Sequence, residues 1–198
     1  MYKKQMKLQR VFCMFALIAA AVVFIYSLGM LTDLYDSLYP MMRNPDNLEE
    51  TDVPGSIIYY DMQPFNHQLL IASLALILLA AGLFVTNTAS RRKYYIGNYC
   101  ATLLNVAAEI GVAVWAHLQI SAFKTQFVTT LDFDALEMWS SIWETPNLTA
   151  QSTFWFDIHY LVSGLLLAAA VLLIVNVIWK RRLMRGEQAL LAGKAVSA

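Results

Sequence analysis

Three histidines and one acid are the residues of this chain whose types and positions suggest chemistry. His67, His117 and His159 each sit near one end of a long apolar run. Paired histidines on facing helices are what a helix bundle needs to hold a haem or a metal ion. The spacing carries no ligand motif, however, and the neighbours Asn66, Gln68, Asp157 and Tyr160 are ordinary interfacial polarity. A polar cap at the helix ends is therefore the expected role of the histidines, and no resident cofactor or metal is expected.

The acid belongs to a stripe. Asn98, Thr102, Asn105 and Glu109 follow steps of four, three and four, so they share one face of a helix. Ala108, Gly111 and Ala116 lie nearby and permit close helix approach. The stripe reads as an intramembrane polar packing seam. Glu109 sits about ten residues from either end of its run, where an ionisable group costs about 2.5–3.5 kcal/mol on insertion scales. No lysine or arginine lies inside any apolar run, so the sequence offers Glu109 no internal counter-charge. A neutral carboxylic acid there could donate to a carbonyl and accept from Asn105 one turn away. A packing acid is the expected role, with a proton or cation relay as the alternative.

Other chemistries lack their residues. Cys13 and Cys100 form no Cys-x-x-Cys pair, and neither falls in a loop where a thiol oxidoreductase of this size needs its thiols. There is no His-Glu-x-x-His, no Gly-x-Ser-x-Gly, no phosphate-cradling glycine loop, and no aspartate inside an apolar run. Asp157 beside His159 is the one pair resembling an interfacial catalytic group. The chain is expected not to be an enzyme.

The elements that must position these residues are four apolar runs, about 11–31, 69–85, 99–120 and 160–179. Each approaches the roughly 20 residues that cross a hydrocarbon core. None contains proline, none alternates, and backbone groups in lipid must be satisfied within their own segment, so all four are predicted helices. Composition agrees: 59% of the 198 residues are hydrophobic and 14% charged, against about a quarter charged in soluble domains. A net charge of zero argues against nucleic acid as a partner. The fold class predicted is all-α: one integral membrane four-helix bundle over residues 1–198.

Charge orients it. Twelve of the fourteen basic residues flank the same side, around Lys3–Arg10, Arg91–Lys93 and Lys180–Lys194, while Arg43 and Lys124 face twelve acids on the other. The positive-inside rule then places both termini in the cytoplasm. The first run is too long for a signal peptide and lacks a polar cleavage region, so it reads as an uncleaved helix. Two long acidic extracellular loops remain, 32–66 and 121–157. The first run can continue as helix to Pro40. In the second loop, Asp134 and Glu137 fit a capping box that opens an amphipathic helix with Leu136, Trp139, Ile142 and Trp143 on one face. Asn147-Leu148-Thr149 is a glycosylation acceptor pattern. The tail past Arg185 reads as a frayed turn followed by disorder. Phe65-Asn66-His67 and Phe156-Asp157-Ile158-His159 open the second and fourth runs alike, a faint parallel repeat.

The stretch from Leu8-Gln-Arg-Val-Phe-Cys13 through Tyr26-Ser-Leu-Gly-Met-Leu-Thr-Asp-Leu-Tyr-Asp-Ser-Leu-Tyr39 resembles the opening of small uncharacterised four-helix membrane proteins of Gram-positive bacteria that accompany sugar-importing ABC systems. The resemblance implies a bacterial plasma membrane and an accessory role, and it carries no site residues. The leading expectation is a non-enzymatic accessory or assembly subunit of a larger plasma-membrane complex, a transporter above all, with the bilayer and other membrane subunits or a second copy as partners. The alternatives are a haem- or metal-binding redox subunit using the histidines, and a small cation channel or sensor with an acidic outer vestibule.

Overall fold

A computed structural model of the chain describes residues 2–36, 53–89, 96–142 and 152–196. All regular structure among them is helical: α1 (Tyr2–Asp36), α2 (Ile57–Asp61), α3 (Gln63–Ala89), α4 (Ile96–Thr130), α5 (Phe133–Ile142) and α6 (Phe154–Val196). Four of these, α1, α3, α4 and α6, contain stretches long and apolar enough to cross a membrane.

Each long helix packs on the next in the chain, and α6 returns to α1. The order around the bundle is therefore α1, α3, α4, α6, with every neighbour antiparallel. This is the up-down-up-down arrangement of a four-helix bundle. One end of the bundle carries the two chain termini and the α3–α4 connection, and is called the terminus end below. The other carries α2 and α5 and is called the loop end.

The helices outrun the apolar runs. Helix α4 continues to Thr130 and α6 begins at Phe154, so much of the predicted 121–157 loop is helix, and α2 and the start of α3 occupy part of 32–66. Helix α6 also continues through the tail to Val196, where the sequence suggests fraying. Leu, Ala, Glu, Gln and Lys dominate that stretch, and good helix formers carry it past Gly186. Trp143, Pro40 and Asn147 lie outside the described residues.

Outward positions are large and apolar: Ile25, Ile71, Leu78, Val114, Leu161 and Val171 are all about half or more exposed, which suits a lipid environment. The interior is dominated by small and aliphatic side chains, with Ala16, Ala20, Ala80, Ala113, Ala169 and Ala170 all buried. Alanines let backbones approach where no hydrophobic effect drives helices together.

The loop end is closed by aromatics. Phe127, fully buried, meets Phe156 at 5.1 Å, Phe133 at 5.4 Å and Tyr59 at 6.1 Å between ring centroids. Gly55 takes φ 80°, a left-handed conformation that favours glycine. A Cβ there would also collide with the backbone of Thr130 and Leu131. The adjacent carbonyl of Pro54 accepts from Asp132 N at 3.0 Å. This strap joins the residues before α2 to the α4–α5 junction.

Candidate functional site

The four residues of the α4 stripe all point into the bundle. Asn98, Thr102, Asn105 and Glu109 are buried, so the stripe is an interior seam and not a surface facing lipid. At the terminus end it joins polar side chains from every other long helix. Asn87 of α3 is the hub. Its Oδ1 accepts from Gln9 Nε2 of α1 at 2.8 Å and also from Asn98 Nδ2 of α4, and its own Nδ2 donates to Cys13 Sγ at 3.0 Å. Gln5 Nε2 donates to Gln9 Oε1 at 3.0 Å and to Asn176 Oδ1 of α6 at 2.9 Å. Amides are suited to this place because each offers both donors and acceptors without a formal charge.

The network also holds a cation. Lys180 of α6, only 8% exposed, donates to Asn98 Oδ1 at 2.9 Å and lies 5.5 Å from the centre of the Tyr99 ring. From sequence it is one more basic residue after the fourth run. In the structure it is folded back among the amides, because a stem of four methylenes can reach along the helix while the ammonium takes an oxygen and a ring face. Neither Lys180 nor the contributions of Gln5, Gln9, Asn87 and Asn176 follow from motif reasoning. The available signal was their amide or basic character at the same end of all four runs.

Glu109 stands apart. It is 2% exposed, and neither carboxyl oxygen has a hydrogen-bond partner. The expected bond with Asn105 is not made: Asn105 Nδ2 donates instead to the Ala101 carbonyl of its own helix at 2.9 Å. Thr102 likewise bonds back, to the Asn98 carbonyl at 2.8 Å. Both side chains satisfy themselves locally, as short polar side chains in helices commonly do, and leave the acid alone.

At the loop-end side of the core, two of the three histidines meet. His117 Nδ1 and His159 Nε2 are 3.0 Å apart, with rings stacked at 5.3 Å. His159, 1% exposed, directs its Nδ1 at the Phe156 carbonyl. A carbonyl only accepts, so Nδ1 of neutral His159 carries its proton and Nε2 is the acceptor. His117 Nδ1 is then the donor, and the lone pair of the couple lies on Nε2 of the exposed His117. Tyr160 covers both rings, at 4.0 Å from His159 and 5.6 Å from His117. The two facing nitrogens are thus bonded to each other in this structure. His67 is exposed on α3 and takes no part, so the repeat between residues 65–67 and 156–159 does not extend to a shared histidine role.

Asp157 pairs with Lys124 at 2.5 Å and accepts from Thr153 Oγ1 at 2.8 Å. Its partners are thus Lys124 on the surface of α4 and Thr153 just before α6, and no hydrogen bond couples it to His159. Among the described residues no three His, Cys, Asp or Glu side chains are grouped to hold a metal ion. Between Glu109 and the histidine pair lies a cavity of about 10 Å³, lined by apolar side chains including Val23, Leu69, Ala113, Val162 and Leu166, with His159 at its edge.

Compared with known proteins, the chain matches no family model, no curated protein and no solved structure.

Proposed function

We propose that this chain is a non-enzymatic accessory subunit of a larger complex in a bacterial plasma membrane, a transporter by preference, with both termini in the cytoplasm. The observation that carries the reading is a pair of close-approach positions on the outward surface. Ala107 and Gly111 of α4 and Gly164 and Ala168 of α6 are exposed, and nothing lies within 4 Å of where a Cβ would stand on either glycine. The His117–His159 and Asn98–Lys180 hydrogen bonds fix the register of α4 against α6. In that register Gly111 and Gly164 lie at nearly the same depth. Small residues spaced four apart on helices let a further helix pack against them where larger residues would hold it off.

The polar side chains give the second support. The amides, Lys180 and His159 bond to one another or to the backbone, which is how residues serve an architecture. A photo-crosslinking residue at Val114, beside Gly111, should capture a multi-span transporter subunit in the native host. The same residue at Ile25, on the outward face of α1, should capture lipid alone. Gly111→Leu should abolish the Val114 adduct while leaving the melting temperature of the purified protein unchanged. Lipid adducts at both positions would overturn the proposal.

A further inference from the structure

Glu109 is a buried acid with neither carboxyl oxygen hydrogen-bonded, and the groups around it are asymmetric. Toward the terminus end lies an unbroken set of hydrogen-bonding side chains: Gln5 and Gln9 of α1, Asn87 of α3, Asn98 of α4, Asn176 and Lys180 of α6. The set ends on Cys13 Sγ, and Glu109 makes no hydrogen bond to it. Toward the loop end, the next turn of α4 brings Val112, Ala113 and Ala116 against Val23, Leu69, Val162 and Leu166. Tyr26 and Ser163 also line this layer, the Tyr26 hydroxyl donating to the Trp155 carbonyl at 2.9 Å. Beyond it lies His159, whose partner His117 is eight residues from Glu109, about 12 Å along the helix.

An unpartnered carboxyl in an apolar interior calls for a cation. A metal cation needs a shell of oxygen ligands, and here no second carboxylate is near, while Thr102 and Asn105 are turned to their own backbone. A proton needs a single oxygen. The ionisable groups facing this part of the core are few. Helix α1 supplies Cys13 and, toward the loop end, Tyr26, whose hydroxyl donates to the Trp155 carbonyl; α6 supplies Lys180 at one end and His159 at the other. Helix α3 buries no ionisable side chain among the described residues, and Tyr99 of α4 lies beside Lys180.

We propose that Glu109 is a proton-binding site in the bundle core, reached from the terminus end, where the Gln5–Gln9–Asn87–Asn98 network lies, and shielded from the loop end by a mostly apolar layer. The proposal goes beyond the accessory reading and stands or falls without it, since the site is complete within one chain.

Dicyclohexylcarbodiimide tests it on the full-length protein. This membrane-soluble reagent attacks only a protonated carboxyl. The carboxyl proton passes to a carbodiimide nitrogen, the oxygen bonds to the central carbon, and the adduct rearranges to a stable N-acylurea that mass spectrometry locates. The protein is reconstituted in vesicles whose orientation is read by protease removal of an N-terminal tag, and the pH is varied on one side at a time. Glu109 should be modified. Its labelling rate should fall about tenfold per unit rise in pH on the terminus side once the carboxyl is mostly ionised, should ignore the pH on the loop side, and should be unaffected by sodium. An unmodified Glu109, a rate that follows loop-side pH, or protection by sodium would each overturn the assignment.

Discussion

Lys180 shows how much a single residue can depend on its neighbours. Buried beside Tyr99, the ammonium has the Asn98 carbonyl oxygen as its hydrogen-bond acceptor. Removing that oxygen leaves a buried ammonium without its acceptor, whereas removing both partners also removes the charge that needs one. Asn98→Leu should therefore cost about 2–3 kcal/mol of stability, and Asn98→Leu combined with Lys180→Met should recover part of that loss. Unfolding in mixed detergent micelles measures both, and a double variant worse than the sum of the singles would refute the pairing. The sequence could place Asn98, Thr102, Asn105 and Glu109 on one face, because helical periodicity is a local rule. It could not show that Lys180 bends back to that face, nor that Asn105 ignores Glu109. Each of those depends on which oxygen lies closest in space. The histidines divide on the same principle. Similar depth suggested by sequence applies to three of them, but the rotation of α4 and α6 about their axes brings together only His117 and His159.

The elements teach a related lesson at their ends. Four apolar helices were legible because length and hydropathy alone decide whether a segment can span. Their limits were not legible, since helix continues past the apolar run wherever polar residues have adequate propensity and a neighbour to lean on. Helix α5 shows it in detail. Asp134 and Glu137 fit the sequence signature of a cap, yet the helix starts at Phe133 and is capped by Asp132. The Asp132 Oδ1 accepts from Asp134 N at 3.1 Å and Ala135 N at 3.0 Å. Two aspartates two residues apart both suit an N-terminus, and the Pro54–Asp132 backbone bond selects between them. Asp132→Ala should thus destabilise α5 by about 1 kcal/mol, and Asp134→Ala by only the smaller charge–dipole contribution of a few tenths. Amide hydrogen exchange over 133–138 reads the difference, and equal effects would return the cap to Asp134.

At the scale of the whole molecule, orientation rests on charge. Along the sequence, twelve basic residues flank the same ends of the apolar runs and twelve acids the opposite ends, and the proposed cytoplasmic termini follow from that imbalance. In a cysteine-free background, single cysteines at Ser37 and Ser141 should react with an impermeant thiol reagent on intact cells, and one at Ser90 should not. Labelling at Ser90 alone would invert the molecule, and with it the side from which Glu109 is reached. The amide network described above has one more implication, and it concerns biosynthesis. Its members are made at different times: Gln5 of α1 waits for Asn176 of α6, and Asn98 of α4 for Lys180. Until α6 leaves the translocon, α1, α3 and α4 hold polar groups in lipid without their final partners. Before α6 docks, Asn87 can already join α1, α3 and α4 through Gln9, Cys13 and Asn98, and the arrival of α6 then supplies Asn176 and Lys180 together.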